Sequence, residues 1–208
     1  ECVSPGPGTG AGAVCEPEGK LNQGRTYSVP VDKYQLRMTS AIHTKQVKLQ
    51  EYMQQGIIGD DDVALIALNS TNIALIMADM DPPHIARCML GLGTFAVDFS
   101  YETNEFGRTY LTEATEIKRA AADPIPANGF DLDELKHVSA VVYSHGGLWN
   151  FRGDPRDHLV GLPNPNTSRP LDSNHLSRIN RWERHTTEAG RVIRFSQRVS
   201  RENDSEPN

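Results

Sequence analysis

The residues best suited to chemistry in this chain are three cations, Arg37, Lys45 and Lys48, which are spaced along one helical segment. At about 100° per residue, Lys45 falls within the apolar arc of that segment, and Arg37 and Lys48 lie on its flank. A lysine on such an arc loses hydration, so its ammonium must find a carboxylate, a phosphate or a route to the surface. Cations spaced in this way suit phosphate oxygens better than a neutral substrate. The alternative is that the Lys45 stem lies along the apolar face and its ammonium reaches solvent.

The segment that carries these cations has the strongest helical pattern in the sequence. It runs from about Val31 to Gln55, after Pro30, which suits a first turn, and before Gly56, which suits a helix end. The sequence therefore predicts an amphipathic helix whose cations adjoin the core-facing side. The apolar positions within that arc are Met38, Ile42, Leu49, Tyr52 and Met53.

Short apolar runs predict the strands of a sheet. Val63–Asn69 and Ser139–Ser144 are typical of strands that are buried on both faces, and Ile73–Met77 is a further apolar run. A second helix is predicted from about Pro82 to Leu90. Strands that alternate with helices indicate an α/β or α+β fold, with a mixed β-sheet flanked by helices.

A β-hairpin is predicted in the middle of the chain. Thr94–Tyr101 alternates apolar and polar residues, which is typical of a half-buried strand with Phe95, Val97 and Phe99 on one side. The turn falls at Asn104–Gly107, and the return strand starts at Arg108. This hairpin adds an antiparallel element to the fold.

Other motifs are compatible with chemistry but favour ordinary turns. Ser144–Gly147 follows a strand and is similar to the backbone-donor loop of esterases, although the Gly-x-Ser-x-Gly nucleophile pattern is absent. Asp60–Asp62 and the pair Asp79 and Asp81 could bind calcium or magnesium, but the triplet also suits a helix–strand turn. The segment Pro5–Gly12 could cradle a phosphate, yet no Lys-Ser/Thr pair follows it, so a flexible loop is favoured.

Composition and charge exclude some classes of protein. The chain has 208 residues and a formal net charge of -6, which argues against a wholly basic nucleic-acid coat but leaves room for a local basic site. No run approaches 18 apolar residues, so a transmembrane helix is not expected. The three cysteines lack zinc-site spacing, and no secretory signal is evident, so reduced thiols and a cytoplasmic location are expected.

The arginines are concentrated near the C-terminus. Seven of them lie between Arg178 and Arg201, where only Glu183 and Glu188 oppose them. Such a stretch could contact a nucleic-acid backbone, but a solvated tail is favoured. We therefore expect a domain over residues 1–171 and an Arg-rich, partly disordered polar tail over 172–208.

Several segments, taken in order, resemble a group of uncharacterised bacterial proteins whose N-terminal core is restriction-endonuclease-like, of the PD-(D/E)xK type. The resemblance covers roughly residues 1–171. The matching segments are Glu1–Gly10, the pattern Arg37-x-Thr39-x-Ala41-Ile42-x-x-Lys45, Tyr52 with Gly56–Ile58, Val63–Asn69, Val138–Ser144, Gly153-Asp154, Asn164-Pro165 and Pro170-Leu171.

The resemblance implies a metal-dependent phosphodiesterase or nuclease that acts on DNA or RNA. Glu1 would be catalytic as a ligand of Mg²⁺, and Lys45 would be the catalytic cation, because the residue two positions after Glu1 is Val3 and not the usual lysine. Arg37 and Lys48 would bind phosphate. A second acidic ligand is expected on a strand before Glu1, so the sequence is expected to be the C-terminal part of the nuclease-like domain. The alternative is a non-catalytic nucleic-acid or protein interaction module on the same scaffold.

Overall fold

The computed structural model describes residues 2–6, 8–9, 13–14, 29–73, 82–120, 122–146, 154–172, 174–187 and 190–196. Some residues named above lie outside this part of the chain. They are Glu1, residues 7 and 10–12 of the glycine-rich segment, residues 74–77 of the third apolar run, Asp79, Asp81, Gly147, Gly153, Glu188 and the end of the expected tail, 197–208.

A strand–helix–strand unit opens the fold. Strand β1 (Cys2–Val3) lies parallel to β2 (Leu65–Asn69), with Cys2 opposite Ala67. Helix α1 (Val31–Gln54) connects them and packs against β2. Because β1 and β2 are parallel, α1 runs back across the sheet before β2 begins.

Helix α1 matches the predicted helix closely. It begins after Pro30, and Gly56, just beyond its end, has a φ of +69°, the left-handed conformation that glycine adopts without strain. The apolar side chains of the predicted arc lie at the core or at its edge, and Tyr52 and Met53 are only half-buried. The buried residues of α1 are Tyr34, Gln35, Met38, Ile42, Gln46 and Leu49.

The main sheet is mixed, as the sequence predicts. Among the described residues its strand order is β1-β2-β7-β8-β9-β10, where β7 is Ala140–Ser144, β8 is Leu159–Pro163, β9 is Asn180–Thr187 and β10 is Gly190–Ser196. Strand β2 pairs in parallel with β7, and β7 pairs antiparallel with β8. The three parallel strands therefore end at one edge of the sheet, which we call the carboxyl edge.

Between β2 and β7 the chain adds a helix and two hairpins. Helix α2 (His84–Leu90) is buried along its whole length and ends at Gly91, which has a φ of +71°. The hairpin of β3 (Leu92–Ser100) and β4 (Glu105–Glu113) forms its own two-stranded sheet, as does that of β5 (Glu116–Ile117) and β6 (Ile125–Pro126). The first hairpin lies where the sequence predicts it. Its apolar side is exposed, however, and not half-buried as expected.

The expected polar tail contains two strands of the main sheet. Strand β9 (Asn180–Thr187) pairs in parallel with β8, and β10 (Gly190–Ser196) pairs antiparallel with β9. Trp182 is buried and contacts Phe195, and the buried Arg184 forms an ion pair with Asp131. The sheet therefore continues beyond residue 171, because a buried ring and a paired guanidinium hold β9 against the core.

The core lies between the sheet and the two helices. Its largest fully buried side chains include Tyr34, Met38, Ile66, Phe130 and Tyr143. Within the described ranges, no helix is both long and apolar enough to cross a membrane.

Candidate functional site

The loop after β1 packs on the first turns of α1. Lys33 Nζ donates a hydrogen bond to the Ala13 carbonyl at 3.0 Å, and Pro5, Ala13 and Val14 are buried. The sequence favoured a flexible loop in this segment. Of its described residues, Pro5 is buried and Gly8 lies against Arg37, whereas Gly6 and Thr9 are exposed.

Arg37 lies directly beneath this loop. A Cβ built on Gly8 would overlap Cζ and Nη1 of Arg37, so the guanidinium occupies the space that any side chain at position 8 would need. Gly8 also has a φ of +82°, which favours glycine. In the part of the chain that the structure describes, Arg37 Nε is buried and has no hydrogen-bond partner. The loop backbone therefore shields a guanidinium that keeps a spare donor.

The loops that follow β1 and β2 meet at the carboxyl edge. Asn72 Nδ2 donates to Ser4 Oγ at 3.0 Å, which ties the loop over Arg37 to the loop after β2. Asn69 Nδ2 donates to the Gly146 carbonyl at 3.1 Å and so ties the end of β2 to the chain after β7. Parallel strands of open α/β sheets commonly bind ligands outside their carboxyl ends.

The carboxyl edge also gathers hydroxyl and imidazole groups. Ser70 Oγ and the Tyr143 hydroxyl are 2.8 Å apart. The His145 and His158 rings stand edge to face with their centroids 5.7 Å apart. Ser70 and Tyr143 are fully buried and bonded to each other, so the half-buried imidazoles are the groups in this set that can donate a hydrogen bond to an oxyanion.

Ser144 is engaged by the backbone of its own loop. The Gly146 N–H donates to Ser144 Oγ at 3.1 Å, and Ser144 is buried. A local side-chain-to-backbone bond of this kind is typical of a turn. The geometry therefore favours the turn interpretation of Ser144–Gly147 over the esterase one.

Lys45 lies on α1, eight residues beyond Arg37, which corresponds to about 12 Å along the helix axis. It is half-buried, and its neighbour Gln46, which is 2% exposed, takes the core-facing position. The core-facing side of the helix is thus rotated slightly from the predicted arc. Lys45 lies at its border, where a long side chain can reach a polar group.

Lys48 lies on the exposed surface of α1. Its ammonium is 2.9 Å from Glu51 Oε2 and 5.1 Å from the centre of the Tyr52 ring. A phosphate at Lys48 would therefore compete with a carboxylate and with a cation–π contact.

The acidic candidates make local contacts. Asp62 Oδ2 accepts a hydrogen bond from the Gly59 N–H at 2.7 Å, as expected for a turn between α1 and β2. Within the described ranges, no group of three or more histidine, cysteine or acidic side chains could hold a metal ion. Glu1, the predicted metal ligand, lies outside the described residues.

The opposite edge of the sheet holds a polar cluster that sequence reasoning missed. Arg169 Nη1 donates to the Asp62 carbonyl at 2.8 Å and also to that of Gly59. Nearby, burial lowers the pKa of His137; a backbone hydrogen bond with Gln46 opposes this shift, and the charge of Arg169 adds to it. These groups hold the turn after α1 in place.

One signal could have led to some of the missed residues. The shared carboxyl edge follows from strand order, which places Ser4, Ser70 and His145 together once β1, β2 and β7 are known to be parallel. The contact of Arg37 with Gly8 has no spacing signal, because it joins residues on separate elements.

No protein-family model, curated protein or solved structure matches this chain.

Proposed function

We propose that this chain binds nucleic acid at the carboxyl edge and acts there as a metal-dependent phosphodiesterase of the restriction-endonuclease-like type. The observation that supports this most directly is the Arg37 guanidinium, which lies beneath the Gly8 backbone with a buried Nε that lacks a protein partner among the described residues. A planar guanidinium is suited to phosphate oxygens, and its buried Nε becomes available to one when the loop that carries Gly8 moves aside.

The arrangement on α1 gives each cation a separate role. Arg37 holds one phosphate of the strand, and Lys45 offsets the negative charge that builds on the oxygens of the phosphate under attack by water. The axial separation of about 12 Å corresponds to about three or four nucleotides of one strand of B-form DNA. Lys48 adds positive charge at the exposed side of this path, in competition with Glu51.

Magnesium stays a prediction that depends on Glu1 and on the acidic residue that the resemblance implies. The described residues alone do not fit a magnesium ion, because they include no suitable group of ligands. A bound Mg²⁺ would supply Lewis-acid polarisation of a phosphoryl oxygen. The roles proposed for Arg37 and Lys45 do not depend on its position. The cytoplasmic location is likewise proposed from the sequence alone.

A second candidate is a non-catalytic nucleic-acid or protein interaction module on the same scaffold. The hairpin of β3 and β4 favours it, because Phe95, Tyr101 and Phe106 are exposed there, as is usual at interaction surfaces. The two candidates differ in whether bound nucleic acid is cleaved.

The test is a cleavage and binding assay with labelled DNA and RNA, single- and double-stranded, in Mg²⁺ and in EDTA. We expect Mg²⁺-dependent cleavage that Lys45→Ala slows by about 100-fold or more, with binding largely kept. The matched control is Lys136→Ala, which removes an exposed lysine that is paired with Asp133 at 2.6 Å. Undiminished cleavage by Lys45→Ala would rule out the mechanism. Binding without cleavage would favour the interaction module, and absence of nucleic-acid binding would contradict the phosphodiesterase and leave a protein interaction module.

A further inference from the structure

The hairpin of β3 and β4 carries an exposed apolar surface. Phe95, Val97 and Phe99 share one face by strand alternation, and the Phe99 ring lies 5.1 Å from the rings of both Tyr101 and Phe106. Tyr101 is 92% exposed, Phe106 79% and Phe95 55%. We call these five residues the hairpin patch.

Among the described residues, the buried part of this hairpin is its base. Leu92 is buried, and the Ala114 N–H donates to the Gly91 carbonyl at 2.9 Å. Between Thr94 and Tyr110 no residue is buried. A two-stranded hairpin alone is marginally stable in water, and exposed strand edges attract other chains. An apolar, alternating strand in this setting is expected to be covered in the working protein.

The charges around the hairpin patch indicate which class of partner can bind it. Within residues 94–110 the acidic side chains are Asp98, Glu102 and Glu105, and the cation is Arg108. This excess of negative charge repels the phosphates of nucleic acid and of anionic lipid. A protein surface that is itself apolar fits better.

We propose that the hairpin patch binds the same patch of a second copy of this chain, related by a two-fold axis. From aromatic side-chain areas of about 150–250 Å² and the exposed fractions above, the patch presents about 600 Å². Two copies would bury about 1,200 Å² in total, which reaches the range of specific interfaces. A two-fold interface closes on itself and needs only one self-complementary patch.

The same symmetry removes the charge conflict. Asp98 points to the opposite face from Val97 and Phe99 by alternation, so it lies outside the contact. A two-fold axis across the strands places the two hairpin tips, each with Glu102 and Glu105, at opposite ends of the interface. The apolar centres of the two hairpin patches can therefore pack together without bringing the acidic residues of the two tips close to each other.

The test is sedimentation equilibrium of the full chain over about 1–100 µM, a range that resolves micromolar dissociation constants. We expect a two-chain mass, which the double substitution Phe95→Ser/Phe106→Ser converts to monomer by weakening association about 100-fold or more. The control is Tyr110→Ser, which removes an aromatic ring from the opposite face, where Tyr110 pairs with Ala96. This variant is expected to stay dimeric.

Hydrogen exchange separates loss of contact from loss of fold. Amides of residues 94–110 should gain protection as wild-type concentration rises, and those of α1 should be equally protected in both variants. A monomeric wild-type chain over the whole range would overturn the proposal, even if the chain bound another protein or lipid vesicles. So would a double variant that dimerises as tightly as wild type.

Discussion

Arginines near the two ends of α1 lie in opposite situations. Arg169 reaches the turn after the helix and donates to the backbone carbonyls of Gly59 and Asp62. Arg37 lies near the start of the helix beneath Gly8, and its buried Nε has no partner in the described part of the chain. A guanidinium whose donors are satisfied by the backbone holds the fold. One that keeps a spare donor beside a loop is able to bind an added anion.

The neighbours of Arg169 strengthen this contrast. Asn164 is 4% exposed, and its Nδ2 donates to the carbonyls of Leu135 and Val138, both at 2.9 Å. Its Oδ1 accepts from the Asn166 N–H at 2.9 Å. The groups around Asn164 therefore form a hydrogen-bonded network that specifies structure, whereas Gln46 Oε1 and His137 Nε2 at the same end are buried without a hydrogen-bond partner among the described residues.

The largest expected effect is the loss of stability in Asn164→Ala. The substitution leaves the buried Val138 carbonyl and the Asn166 N–H without their partner and removes one of the two donors to the Leu135 carbonyl. It should lower the free energy of unfolding by about 2–4 kcal/mol. Urea denaturation followed by circular dichroism measures this change. Asn174→Ala, at an exposed position, is the control and should stay within about 0.5 kcal/mol of wild type.

Equal stability of Asn164→Ala and Asn174→Ala would contradict the structural role assigned to the Arg169 end. It would mean that water satisfies the network as well as Asn164 does, and that the Arg169 end is not a structural clamp.

The two arginines should have different roles: loss of Arg169 should lower stability, and loss of Arg37 should weaken nucleic-acid binding. Arg169→Ala is expected to lower stability by about 1–2 kcal/mol through loss of charge-assisted bonds to carbonyls, with unchanged affinity for nucleic acid. Arg37→Ala should change stability by about 1 kcal/mol or less, weaken nucleic-acid binding about tenfold, and reduce the slope of log affinity against log salt by about 1. Urea denaturation and fluorescence anisotropy titrations at several salt concentrations measure the two effects.

Gly8→Ala sharpens the same comparison. Its Cβ would overlap the Arg37 guanidinium and force it to move, so this variant should resemble Arg37→Ala in binding. If Arg169→Ala weakens nucleic-acid binding as much as Arg37→Ala does, the assignment of phosphate contact to the Arg37 end is incorrect.

The sequence predicted those parts of the fold that depend on local pattern. The bounds of α1, the left-handed glycine at position 56 and the strand at Leu65–Asn69 were all within reach of periodicity and turn chemistry. Strand β9 was not, because its inward residues are Trp182 and Arg184. An arginine is expected to be solvent-exposed until its partner Asp131, 53 residues away, is known.

The candidate site was predictable only as a list of cations. Helical spacing placed Lys45 on the apolar side, but neighbouring positions differ by about 100°, and the structure gives the core-facing place to Gln46. The carboxyl edge and the Arg37–Gly8 contact arise from strand pairing and loop packing. Both are tertiary facts that local spacing does not encode.

The smallest expected effect is on the pH dependence of stability, through His137 at the Arg169 end. Burial lowers the pKa of His137 from its usual 6.5 by more than the hydrogen bond with Gln46 raises it, and the charge of Arg169 adds a smaller lowering. The unfolded chain therefore binds more protons than the folded chain as the pH falls below 6.5, so the folded state loses stability there and keeps it above. In His137→Gln the fall in Tm between about pH 7.5 and 5.5 should be shallower than in wild type, whereas the exposed His175→Gln should match wild type. A parallel fall in all three proteins would show that His137 does not respond to its burial beside Arg169, and that Arg169 acts through its carbonyl bonds alone.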